Sequence, residues 1–214
     1  MTLWARPIEP SLALHLPPGP VPQWLSAPEQ AEWATFATRK RAEEFRAGRH
    51  LLRTALTAQG FQTEALSITR DSHRAPVLRG LPQPPSFSIC HCGHLAERAW
   101  SLVLIGPPGW QIGLDAEPLT PPLPTSVLGI MARGAEREAL AAADAFTRLR
   151  AWVLKECVQK ALKLGMHLDP RTIDTRVTPI RLLGYTVDVR VFERWGLMIG
   201  TGVARPDTSA SCLQ

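Results

Sequence analysis

The sequence predicts an α+β protein, α/β in the alternation of its elements, with a doubled pattern. Three observations carry this. Helix-forming and strand-forming stretches follow in the order helix, strands, helix, strands, with a seam near residues 105–120. The 214-residue chain is 45% hydrophobic and 20% charged, which supports a buried core and excludes intrinsic disorder. Its 20 prolines, about twice the usual share, cluster between the periodic stretches, so the elements are short and joined by stiff loops.

The first 25 residues hold six of those prolines and read as extended chain, with one strand expected near residues 12–16. Ser26 and Glu29 have the spacing of a capping box, and the next thirty residues, up to Gly60, form one long helix or two. Within the stripe of Phe45, Leu52 and Leu56 lie Gly48 and Arg49, which are out of place on a buried helix face. Glycine there costs about 1 kcal/mol against alanine. An arginine facing a core needs an anion, a neighbouring acid or a path to solvent.

Three strand-like runs follow, at 86–90, 99–105 and 111–117, the last two joined by Gly106-Pro107-Pro108-Gly109. As a meander they would bring Cys90 and His91 to the same sheet edge as Asp115 and Glu117, about 10 Å apart. A helix is expected at 136–143, and a longer one from the N-cap Asp144 to Leu164, ended by Gly165. Phe146, Leu149, Val153, Cys157, Ala161 and Leu164 form its buried stripe. Strands at 185–192 and 197–204, joined through Trp195-Gly196, complete the chain.

Composition narrows the function classes. The longest apolar run, 100–105, is far shorter than a membrane span needs, and residues 12–16 are too short for a signal-peptide core, so a cytoplasmic location is expected. Four scattered cysteines fit a reducing compartment. Cys212 stands third from the end and misses the prenylation position. A net charge of +5 without a block of like charges favours an anionic ligand or an acidic partner.

Three clusters bear chemistry. Asp115 and Glu117, two apart on a strand end, point to one face, where they are either solvated or share a divalent ion such as Mg²⁺. Trp152, Glu156 and Lys160 form one helix ridge. There Glu156 and Lys160 make either a surface ion pair or a third metal carboxylate beside a cation for an anionic ligand. Cys90-His91-Cys92 with His94 lacks the second cluster and the facing geometry a zinc site needs, leaving His91 as a phosphate contact or a core histidine.

Residues 87–93 (FSICHCG), 112–117 (IGLDAE) and 152–160 (WVLKECVQK), in that order and spacing, resemble the three signature motifs of Sfp-type 4′-phosphopantetheinyl transferases. Residues 43–49 (EEFRAGR) and 73–76 (HRAP) look like the upstream motifs of the branch that includes the enterobactin-synthase transferase. The resemblance implies two halves, 1–108 and 109–214, related by pseudo-twofold symmetry, with coenzyme A between them. It implies that Asp115, Glu117 and Glu156 hold Mg²⁺, and that Glu156 or a water on the ion helps deprotonate the incoming hydroxyl. Lys160 would stabilise phosphate charge. Arg49, Arg74, His91 and Lys155 would contact coenzyme A, with Glu136 a looser match to a further acidic position.

Two departures stand out. Cys90 replaces the family's serine, and Arg74-Ala75-Pro76 replaces Gly-Lys-Pro. The expected activity is Mg²⁺-dependent transfer of 4′-phosphopantetheine from coenzyme A to a serine of an acidic acyl or peptidyl carrier protein, releasing adenosine 3′,5′-bisphosphate. The enzyme is expected to be a monomer without a nucleic-acid or membrane partner. Siderophore, polyketide, lipopeptide and fatty-acid pathways all remain open. The rival readings are an inactive transferase-like binding module and a nucleic-acid binder using Arg39, Lys40, Arg41, Arg46, Arg49 and Arg53.

Overall fold

A computed structural model describes residues 1–8, 18–94 and 98–207. The strand expected at 12–16, the segment 95–97 and Cys212 lie outside the described residues. The chain divides into two compact units, Met1–Pro108 and Gly109–Gln214. Each lays one long helix against an antiparallel sheet.

The first unit comprises β1 (Thr2–Ile8), α1 (Ala27–Trp33), α2 (Arg39–Ala58), β2 (Ser67–Arg70), β3 (Pro76–Arg79), β4 (Ser86–His94) and β5 (Arg98–Gly106). Its main sheet has the order β1-β5-β4, while β2 and β3 form a separate ribbon. β1 tolerates Pro7 because it is an edge strand. Of the two alternatives, one long helix or two, the chain forms two, with the break after Trp33. Ser26 donates its backbone N–H to Glu29 Oε2 (3.0 Å), and Thr38 caps α2. Leu52, Leu56, Ile68 and Val103 are fully buried between α2 and the strands. Such burial stabilises by about 1.5–3 kcal/mol per large apolar side chain.

The second unit comprises β6 (Gln111–Pro118), α3 (Leu128–Met131), α4 (Gly134–Ala142), α5 (Ala145–Ala161), β7 (Ile180–Leu182), β8 (Tyr185–Arg194) and β9 (Leu197–Pro206). Its sheet order is β6-β9-β8-β7. This overturns the expected meander. β4 pairs with β5, but β6 takes β9 as its neighbour, so Cys90 and Asp115 belong to different sheets. The proline-glycine loop ends one unit instead of turning a hairpin.

Two-residue turns with positive φ, Leu183-Gly184 and Trp195-Gly196, close the β7–β8 and β8–β9 hairpins. α5 starts at its expected cap, with Asp144 Oδ1 accepting from Thr147 N–H (2.7 Å). It ends three residues early. Lys163 adopts φ 59°, and Leu164 N–H returns to Gln159 O (3.0 Å), closing the helix before Gly165 is reached. Phe146, expected in the buried stripe, is 46% exposed. Side chains lean toward a helix's N-terminus, so a first-turn residue projects beyond the surface its helix covers.

Candidate active site

The second unit seats α5 on β6 and β9 through missing side chains. A Cβ on Gly113 would lie 2.0 Å from the Cys157 carbonyl oxygen, and one on Gly200 would lie 2.6 Å from Cys157 Sγ. Gly113, Asp115 and Glu117 alternate on one face of β6, so the contact that admits Gly113 also turns both carboxylates toward α5. Gly200, the cross-strand partner of Asp115, leaves room beside it.

Lys160 Nζ donates to Asp115 Oδ1 at 2.6 Å, and Trp152, two helical turns earlier, donates its indole N–H to Glu117. Burial raises the Asp115 carboxyl against the pull of Lys160. It also raises Glu156, with Asp115 adding repulsion and Lys160 opposing it. Burial first, then Asp115 and Glu156, push Glu117 up to about 7. The three acids therefore act on one another across the helix–sheet contact.

Among the described residues, no three acidic, histidine or cysteine side chains already converge as a preformed ion cage. The acids nevertheless fit a hard cation. Asp115 Oδ2 is buried without a hydrogen-bond partner, and all three carboxyls resist ionising without a counterion. Mg²⁺ takes one or two carboxylates and completes its shell with water and phosphate oxygens.

Lys155 does something other than the expected contact with coenzyme A. It is fully buried, and its ammonium donates to Glu136 Oε2 (2.7 Å), to the Pro170 carbonyl (3.0 Å) and to the Ile173 carbonyl. Three acceptors use all three of its protons. Glu136, also buried, accepts from the backbone and hydroxyl of Thr175 (both 2.8 Å) through its other oxygen. This pair ties α4 and α5 to the segment 170–175 and leaves no ammonium proton for a ligand.

In the first unit, Gly48 is seated on His91. A Cβ there would meet His91 Nε2 at 2.6 Å, which explains the glycine inside α2. Arg49 is 4% exposed and lies 3.2 Å from Glu29 and 3.8 Å from Glu32, with its guanidinium over Phe45. The neighbouring acid considered from sequence is therefore present. Glu29 is nevertheless shared with Arg53 (2.6 Å) and Glu32 with Arg70 (2.6 Å), leaving two carboxylates for three guanidiniums. Burial and then Arg70 pull Arg49 down to about 10.

Sequence reasoning missed this network. The acids at positions 29 and 32, one helical turn apart beside an unplaced Arg49, were the available signal. Arg74 is exposed, with φ 64°, in a β2–β3 turn held by Asp71 Oδ1, which accepts from the backbones of His73 (2.9 Å) and Ala75 (2.8 Å). Cys90 is buried in β4.

Comparison with protein families finds two matches. A model described as the 4′-phosphopantetheinyl transferase superfamily matches residues 111–188, and one described as the 4′-phosphopantetheinyl transferase N-terminal domain matches residues 29–99. Together they account for well over half of the chain. The chain belongs to the 4′-phosphopantetheinyl transferase superfamily. Its mixed helices and antiparallel sheets are consistent with the fold of that superfamily. Phosphopantetheine transfer is the general activity of this transferase superfamily, with coenzyme A and carrier proteins as general partners. Asp115, Glu117, Glu156 and Lys160 fall within the first matched segment, and Arg49, Arg74 and His91 within the second. A comparison with curated proteins gives no match.

Proposed function

We propose that this transferase moves 4′-phosphopantetheine from coenzyme A to a serine of an apo acyl or peptidyl carrier protein, with Mg²⁺, releasing adenosine 3′,5′-bisphosphate. The observation that carries the reading is the group of buried Asp115 with the half-buried Glu117, Glu156 and Lys160, gathered where α5 meets β6 and β9. The motifs quoted above support the Sfp type and the branch of the enterobactin-synthase transferase. No helix of the described residues is long and apolar enough to cross a membrane. The reading has the enzyme working in the cytoplasm as a monomer.

Asp115 and Glu117, joined by Glu156, would hold Mg²⁺. When bound, the ion supplies positive charge against the pyrophosphate of coenzyme A. Glu156 accepts the proton of the serine hydroxyl, a role suited to a carboxylate whose burial raises its basicity. The serine oxygen then bonds to the phosphorus bearing the pantetheine arm, and the bond from that phosphorus to the departing bisphosphate breaks. Lys160 donates to phosphate oxygens as their charge grows, and Trp152 orients Glu117 through its indole N–H.

Arg49, Arg74 and His91 contact the nucleotide end. The excess of guanidinium over carboxylate around Arg49 supports that role. Cys90, a poorer hydrogen-bond donor than serine, weakens the adjoining phosphate contact. The nucleic-acid reading is disfavoured because Lys40, Arg41, Arg46, Arg49 and Arg53 of α2 already face acids.

Incubation with coenzyme A, Mg²⁺ and a panel of apo carriers tests the proposal by mass spectrometry. The expected result is addition of one phosphopantetheine to at least one carrier. Glu156→Gln should reduce the rate by about 10²–10⁴-fold with an unchanged circular dichroism spectrum. Failure to load any carrier, or full activity in the variant, contradicts it.

A further inference from the structure

A cavity of about 220 Å³ opens in the first unit, away from the residues assigned above. Arg6 of β1 and Ser101 of β5 are cross-strand partners and share one face of the sheet. Arg46 and His50, one helical turn apart on α2, also line it, together with Trp24 and Ile8. His91 is in the same row as Arg6 and Ser101 but lies against Gly48 and does not line the cavity, and neither does Arg49.

Three features of this cavity point to an anion. Ser101, which lines the cavity, is 1% exposed, and its hydroxyl lacks a hydrogen-bond partner, a costly arrangement unless something else meets it. Arg6 has no acidic partner among the described residues, while Arg46 pairs on one side with Glu43 (2.6 Å). Burial first, and then the neighbouring guanidiniums of Arg6, Arg46 and Arg53, lower His50. Trp24 meets the His50 ring edge-on at 5.9 Å and supplies an aromatic wall.

We infer that this cavity is a binding site for a small phosphate monoester. Arg6 and Arg46 take phosphate oxygens, Ser101 donates its hydroxyl, His50 adds a proton-bearing nitrogen, and Trp24 covers the organic group. The volume holds roughly seven waters' worth of space, enough for a phosphate and a few carbons and too little for a nucleotide. The inference stands independently of the transferase reading.

The experiment follows the His50 imidazole of the full-length protein by ¹H–¹³C NMR against pH, with phenyl phosphate, inorganic phosphate, or chloride at matched ionic strength. Phenyl phosphate should raise the His50 pKa by about one unit, and inorganic phosphate by less. Ser101→Ala should weaken phenyl phosphate about 3–10-fold at an unchanged melting temperature, because that hydroxyl holds nothing in the fold. The response should persist with saturating coenzyme A. Four outcomes overturn the inference: an equal response to chloride, phenyl phosphate binding no tighter than inorganic phosphate, a response retained in Arg6→Gln/Arg46→Gln, or one abolished by coenzyme A. Carrier loading is not read in this experiment, so either proposal can fail alone.

Discussion

Glu117 is the side chain whose charge state best reports on the acidic group. Its carboxyl is raised to about 7 in the folded chain, against an ordinary value of 4.5. Between those values the native state binds more protons than the unfolded state, so stability falls as pH rises through that window. Without added divalent ion, the melting temperature should therefore decline from about pH 5 to about pH 7, a slope that Glu117→Gln should flatten. Mg²⁺ should raise it more at about pH 8 than at about pH 5, because it favours the ionised acids. Differential scanning calorimetry at several pH values, with and without the ion, measures both effects. The pairing of Asp115 with Glu117 was readable from their spacing. Lys160 lying on Asp115 was not, because 45 residues separate two groups that only folding brings together.

At the level of elements, α5 sits where it does because β6 and β9 present glycines. Gly113→Ala drives a methyl into the Cys157 backbone and should cost at least about 3 kcal/mol in a urea titration. Gly202→Ala, whose new Cβ meets nothing closer than 3.5 Å, should cost much less. The Lys155–Glu136 tie gives a second measurable case. Lys155→Met strands a buried carboxylate and should destabilise by about 3–5 kcal/mol, part of which Lys155→Met/Glu136→Gln recovers.

The long helices and the strands β4, β5, β6, β8 and β9 were legible because their periodicities are long and their caps ordinary. β2, β3 and β7 have four, four and three residues, too few for alternation to register. β1 was hidden by Pro7, which argues against a strand until the sheet's edge is known. Lys155 was misread because its neighbours Glu156 and Lys160 belong to a motif, while its own partners come from α4 and the 170–175 segment.

Across the whole molecule, the net charge of +5 bears on encounter more than on fold. If acidic carriers are the acceptors, raising ionic strength from about 50 mM to about 300 mM should increase the carrier KM several-fold and leave kcat nearly unchanged. Steady-state loading assays at a series of salt concentrations decide this. The Lys160–Asp115 bridge also gives the acids a counterion carried by the chain itself. A newly made molecule can thus close α5 onto its sheet in surroundings poor in metal. If, as proposed, a divalent ion neutralises Asp115, the lysine is released to meet a second anion. On the proposed reading, occupying the acids and arming Lys160 are one event, and the chain without a divalent ion would rest folded but switched off.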